Sequence, residues 1–352
     1  MKISVIMPVY NSEKYLEGAI ASVLSQKGAE LEIIAVDDCS KDGSALLLRR
    51  LAESDARIKP IFNEKNLGVA EVRNIAISKA TGDFLAFCDS DDTVPEGAYE
   101  ALLSVIGDRD VAIGTHVDKS DSGTLREAML TKEEKSSLFR AVFSVSCLWT
   151  KLIRRSFVAE NSLSFDTDMR IGEDVVFLAE LVTKNPSFAV TDECVYYHLH
   201  HASANPSLTH IYDVEAFKVH IECRYRLLEI CREIPECRDF VYRYFSYFLV
   251  DMLPKILAPE EREEAFSLFK KYMLEYDFSK ERNLLRAIVG VPYETFVSAS
   301  ADEYFDAKGS VLAREQVLWE FQSGRIGLRW AVKYIFSWFG YKIKKIFGRK
   351  EG

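Results

Sequence analysis

Short apolar, β-rich runs alternate with amphipathic helical runs through the first third of this chain, and that alternation constrains its fold more than any other feature. Strand-like runs fall at residues 3–9, 31–36, 58–62 and 84–88, with helical stretches at 12–26, 44–54 and 68–79 between them. A strand that returns to its sheet through a helix is joined by a right-handed crossover in nearly every case, so the four strands are expected to run parallel between helical layers. This is an α/β arrangement, and its ligands bind in the crevice beyond the carboxyl ends of the strands. Asn11 or Ser12 is placed to cap the first helix, with Glu13 and Glu17 favouring its positive end.

Those strand ends carry acids. The sequence Phe87-Cys88-Asp89-Ser90-Asp91-Asp92 sets three carboxylates at the end of the fourth strand. Clustered carboxylates repel one another, and a hard divalent cation relieves that repulsion while bridging to phosphate oxygens. A second acidic pair, Asp37-Asp38, follows the second strand in the run Val36-Asp37-Asp38-Cys39-Ser40-Lys41-Asp42-Gly43-Ser44. One carboxylate there can accept a uracil imide hydrogen or ribose hydroxyls, while Ser40 or Asp42 caps the next helix.

Pro8-Val9-Tyr10-Asn11, the Asp37-Asp38 run, Asn66-Leu67-Gly68-Val69-Ala70, Arg73-Asn74, Thr81-Gly82-Asp83 and Asp89-Ser90-Asp91-Asp92 together resemble the ordered motifs of glycosyltransferase family 2. The resemblance is strong over residues 1–110 and weak to 205. It implies a GT-A fold, that is, a Rossmann-like, mostly parallel sheet with helices on both faces. It also implies a nucleoside diphosphate sugar donor, Mn²⁺ or Mg²⁺, and inversion at the anomeric carbon. Carried over by residue, Pro8, Val9 and Tyr10 line the nucleobase pocket and Asp38 meets the base edge. Asp89, Ser90 and Asp91 lie at the ribose, diphosphate and metal, with Asp89 and Asp91 as the metal carboxylates, and Arg73 lies near the donor phosphates. Cys39 stands where glycine or alanine is frequent in the family. In the acceptor half, Gly172-Glu173-Asp174 resembles the family's acidic pair at a helix start. Asp174 is the expected base that takes the acceptor proton, with Glu173 as the alternative. Trp149 and Lys151 to Arg154 match the acceptor-side pattern.

Two other functions compete. A sugar nucleotidyltransferase normally carries a glycine-rich phosphate loop after its first strand, and Pro8-Val9-Tyr10-Asn11-Ser12 is not one. A catalytically silent nucleotide-sugar binder has no need of both acidic motifs and Asp174. The run Tyr196-Tyr197-His198-Leu199-His200-His201-Ala202-Ser203 resembles a segment that closes over the diphosphate through one histidine or Ser203. Its histidines invite a metal reading, but strand alternation sets His198 and His200 on one side and His201 on the other, so a site of histidines alone is not expected.

At 352 residues the chain exceeds one ordinary domain. The division expected is a GT-A domain over 1–205, with a donor half to about 110 and an acceptor half from 111. A helical extension over 206–324 follows, signalled by Phe217, Ile221, Tyr225 and Leu228, and then a tail over 325–352. Strands at 110–114 and 195–198 and one helix over 131–144 are expected in the acceptor half. From Arg325 on, eight Lys or Arg face one acid, so the tail carries +7 and the rest about −16 of the formal −9. The acidic body argues against a nucleic-acid partner. The tail interleaves Trp330, Trp338, Phe339 and Phe347 with Lys333, Lys342, Lys344 and Lys345, which suits an interfacial helix on anionic lipid. Seven scattered cysteines without a paired motif fit a reducing compartment, and no run of about 18 apolar residues suggests a membrane span. The expected location is cytoplasmic, peripheral at the inner membrane face, with a glycan or lipid-linked glycan as acceptor.

Overall fold

The structure is a computed structural model and describes residues 1–120, 123–144, 147–169, 171–200, 213–237, 240–241, 258–275, 298, 300, 301 and 303. Strands β1 (Lys2–Val9), β2 (Glu30–Asp37), β3 (Ile58–Phe62) and β4 (Phe84–Phe87) alternate with helices α1 (Leu16–Leu24), α2 (Ser44–Ser54) and α3 (Val69–Lys79). The strands are parallel, and their order β3-β2-β1-β4 reverses direction at β1. That reversal opens a crevice between the ends of β1 and β4, where Tyr10 and Asp89 follow. Because helices cover both faces, the strands need no polar side: β1 and β2 are almost wholly buried along their length. Ile3, Val5, Met7, Ile33, Ala35, Phe84 and Ala86 form the centre of the core.

One buried acid interrupts this apolar sheet. Glu32 accepts hydrogen bonds from Ser4 Oγ (2.5 Å) and from Thr81 N (2.7 Å), and lies 2.8 Å from Lys2 Nζ. Burial alone would raise its pKa, but the partners Lys2, Ser4 and Thr81 hold it down at about 2. The carboxylate thus ties β2 to β1 and to the turn before β4.

The second half adds α4 (Ala98–Ile106), β5 (Val111–Ser120), β6 (Gly123–Glu127), α5 (Lys132–Lys135), α6 (Leu138–Ser144), β7 (Lys151–Arg154), α7 (Arg155–Glu160), α8 (Glu173–Thr183) and β8 (Phe188–His200). β7 pairs antiparallel with both β4 and β5, and β5 pairs parallel with β8, so the sheet is mixed. Three expectations shift. The helix expected over 131–144 is two: Thr131 and Glu134 form a capping box on α5, and Ser136 and Ser137 then bond locally to backbone and break the run. α1 begins at Leu16 without a side-chain cap: the Asn11 side chain is taken by the neighbouring loop, and Ser12 enters the turn through its backbone carbonyl, which accepts from Tyr15 N and Leu16 N at 2.9 Å. Asn11 Oδ1 accepts from Lys41 N at 2.7 Å, and Ser12 N donates to Ser44 Oγ at 2.8 Å. β5 and β8 outrun the short strands expected because their polar ends, opaque to an apolar pattern, pair with each other.

The chain divides into two compact units, one of Met1–Thr209 with Arg226–Arg238 and one of His210–Tyr225 with Asp239–Gly352. Residues 226–238 of the expected helical extension thus belong to the first compact unit. In the first unit Arg226 ion-pairs with Asp166, and Ser137 Oγ donates to Glu236. Helix α9 (Val214–Ile230) supplies buried Phe217 and Ile221 to the second unit, and α10 (Pro259–Glu275) supplies Phe266 and Phe269. Lys218 there bridges Glu215 (2.8 Å) and Glu264 (3.0 Å). Among the described residues no helix is long and apolar enough to cross a membrane, and all seven cysteines are free. The basic tail lies outside the described residues.

Candidate active site

The crevice at the carboxyl ends of β1, β2 and β4 gathers the donor-half residues. Val9 is buried, Pro8 half-buried and Tyr10 50% exposed, which leaves an aromatic face open at the mouth of the crevice. Asp38 is buried beneath them. Its carboxylate accepts from Asn63 Nδ2 (2.8 Å), Leu67 N (2.9 Å) and Gly68 N (2.9 Å). These bonds hold the turn that opens α3, where Gly68 has φ 87°, a conformation that costs a residue with a Cβ. Leu67 N also reaches the second oxygen at 3.1 Å, so both carboxylate oxygens are engaged by this turn.

Beyond β4, Asp89 is half-buried, Ser90 buried and Asp91 exposed. Asp92 turns the other way, into the protein. Its Oδ1 accepts from Leu199 N (2.7 Å) and its Oδ2 from the Tyr196 hydroxyl (2.9 Å), which in turn accepts from Asp89 N (3.0 Å). Burial, then the charges of Asp89 and Asp91, push its pKa up to about 8. The third carboxylate of the motif is therefore a latch between this loop and β8, a role unreadable without β8's position. Two oxygen-bearing groups, Asp89 and Asp91, remain toward solvent. That donor set suits a hard cation such as Mg²⁺ or Mn²⁺.

Arg73 joins the two halves. It is expected near the donor phosphates, and the structure places it behind Asp89, 6% exposed, on the inner face of α3. Its Nη2 lies 3.2 Å from Asp89 Oδ1 and its Nη1 2.5 Å from Glu173 Oε1. Its guanidinium carbon sits 5.5 Å from the Phe165 ring centre, and Phe165 stacks on Phe177 at 4.3 Å. A planar, permanently charged fork between two carboxylates on an aromatic wall is a setting that arginine fills and lysine does not.

Glu173 and Asp174 open α8. Gly172 precedes them in the left-handed conformation, φ 83°, so that the helix starts abruptly with both acids in its first turn. Glu173 is buried against Arg73, whereas Asp174 is half-buried with Oδ1 accepting from Val175 N at 2.8 Å. Burial pushes the Lys151 ammonium down to about 8, although the negative charge of Asp174 opposes the shift. Lys151 Nζ donates to Cys147 O (2.7 Å). Trp149 stacks on Tyr196 at 4.1 Å, 13° between planes, and on His198 at 5.7 Å.

His198 and His200 share one side of β8, and the structure adds a group that sequence reading missed. Asp118 and His116 on β5 lie beside them, with Asp118 Oδ1 2.9 Å from His198 Nδ1. Asp118, His198 and His200 bring one ligand atom each within 4.8 Å of one another. The alternation His116-x-Asp118 was the available signal, but it carries meaning only once β5 is known to pair with β8. His201 and Ser203 lie outside the described residues.

Residues 4–162 match the family model described as Glycosyl transferase family 2. The chain is 29% identical to EpsJ, a glycosyltransferase of Bacillus subtilis, over 64% of its own length and 67% of that protein. It is 42% identical to a glycosyltransferase of Haemophilus influenzae over 29% of its length and 41% of that protein. The fold superposes on residues 1–349 of Staphylococcus aureus TarS, crystallised with UDP-GlcNAc, with a TM-score of 0.66 and 22% identity over 92% of this chain and 93% of that one.

Proposed function

We propose that this chain, which belongs to glycosyltransferase family 2 and has the GT-A fold, transfers a sugar from a UDP-linked donor to a hydroxyl of a growing cell-surface glycan. The observation that carries the reading is the buried Arg73, which links the donor-half acid Asp89 to the acceptor-half acid Glu173 at 3.2 and 2.5 Å. One guanidinium thereby fixes the spacing between the crevice and the start of α8.

Tyr10 stacks on the nucleobase above Pro8 and Val9, and Asp38 meets the imide edge of the base. Asp89 and Asp91 would hold Mn²⁺ or Mg²⁺, which supplies positive charge against the diphosphate, with Ser90 beside them. Glu173 is buried against Arg73, whereas Asp174 is half-buried in the first turn of α8, and it takes the acceptor's hydroxyl proton as that oxygen attacks from the side opposite the diphosphate. The UDP-GlcNAc bound by the structurally similar TarS makes a UDP-linked amino sugar the first donor to try. The chain works at the inner membrane face on a glycan or lipid-linked glycan, with the basic tail against anionic lipid.

The test is incubation of the purified chain with a panel of UDP-sugars and Mn²⁺ without acceptor, following release of UDP. Slow hydrolysis of one donor, abolished in Asp91→Ala, is the expected result. No hydrolysis and no UDP binding with any donor would overturn the reading.

A further inference from the structure

We infer that Asp118, His198 and His200 form a second metal site, for a borderline transition-metal ion of the zinc class, separate from the oxygen pair Asp89 and Asp91.

The placement follows from strand register. β5 and β8 run parallel, with Asp118 opposite His198 and Ser120 opposite His200. Directly paired residues of a parallel ladder project to one side, as do residues two apart on one strand. His116, Asp118, His198 and His200 therefore share a face. The register shifts near Gly114, where a Cβ would come within 2.6 Å of a Val195 methyl. Those shifts bring His116 opposite Tyr196 and so align the polar residues of both strands.

The distances suit an ion. Asp118 Oδ1 lies 2.9 Å from His198 Nδ1, 3.6 Å from His200 Nε2 and 3.8 Å from His116 Nε2. Tetrahedral zinc with bonds of about 2.0–2.1 Å separates its ligand atoms by about 3.3 Å, which the first two distances straddle. Two imidazoles and one carboxylate favour zinc over magnesium or calcium, which take oxygen ligands. Asp118 and His116 are mostly buried, at 15% and 9% side-chain exposure, whereas His198 and His200 are 41% and 37% exposed. Three protein ligands with an open side leave a fourth position for water, with His116 behind the carboxylate. The ion would staple the end of β8 to β5, next to the Leu199 to Asp92 latch.

The experiment uses the full chain stripped with chelator, then titrated with Zn²⁺ calorimetrically and with Co²⁺ followed by visible absorption. One ion per chain is expected, with the intense absorption of tetrahedral Co²⁺, retained in Asp91→Ala and weakened at least about tenfold in His200→Ala and Asp118→Asn. His200 is exposed enough that its removal should not unfold the protein, and an unchanged melting temperature of the metal-free variant checks this. X-ray absorption of the zinc-loaded wild-type chain gives a readout free of mutants: imidazole scattering is expected, and an all-oxygen shell would overturn the inference. So would absence of zinc binding by wild type, binding that survives His200→Ala and Asp118→Asn at full strength, or loss of the site in Asp91→Ala.

Discussion

Replacing Glu173 with Gln tests the joint between the two halves of the site. The change keeps the shape of the side chain and one acceptor oxygen, but removes the charge that lies 2.5 Å from Arg73 Nη1. Arg73 is 7% and Glu173 10% exposed at the side chain, so water cannot replace the lost charge, and Asp89 at 3.2 Å with the charge of Asp174 compensates only part of it. Removing one partner of a buried pair outright costs about 3–5 kcal/mol. With one hydrogen bond retained, the cost should fall to about 2–3 kcal/mol. At about 2–4 °C per kcal/mol for a unit of this size, the melting temperature should drop by about 4–12 °C. Thermal unfolding by circular dichroism measures it, and a double-mutant cycle with Arg73→Gln should give a coupling of about 1–3 kcal/mol. A melting temperature within about 1 °C of wild type, or strictly additive single changes, would refute the structural role given to Glu173.

Asp174→Asn should bind donor as wild type does and lose about 10²-fold or more in transfer, measured by product formation under saturating donor; a silent Asp174→Asn with a dead but stable Glu173→Gln would exchange the roles of the pair. Asp92, with its pKa raised to about 8, keeps its proton in the folded state after the unfolded chain has lost it. Without metal, stability should therefore fall as pH rises from about 4 to 8, by up to about 1.4 kcal/mol per unit, and Asp92→Asn should flatten the fall. Melting curves at pH 5 and pH 8 decide it, and equal slopes in both proteins would contradict the assignment. Deleting residues 325–352 should abolish co-sedimentation with anionic vesicles while sparing UDP binding, and no vesicle affinity of the intact chain would end the membrane reading.

The first half was legible in the sequence because a parallel sheet covered on both faces writes itself as continuous apolar runs between amphipathic helices. Strand ends then locate Tyr10, Asp38 and Asp89 without further knowledge. The second half was less legible because its logic is pairwise. β7 runs antiparallel between β4 and β5, and the end of β8 is polar, held by backbone bonds to β5 rather than by apolar burial. Arg73 illustrates the limit. Its residue type and position make it a candidate for the donor phosphates, but its partner Glu173 lies 100 residues away, and only the fold shows that the fork is held by carboxylates. Asp92 reads as one acid of three until Tyr196 and Leu199 are in place.

We propose that Asp89 and Asp91 hold a cation required for binding of the nucleotide. Calorimetric titration of UDP into the chain with Mn²⁺, with chelator, and into Asp91→Ala with Mn²⁺ tests it most directly. Binding should appear in the first titration and vanish in the other two, with Asp91→Ala melting as wild type does. UDP affinity unchanged by chelator and by Asp91→Ala would contradict the account.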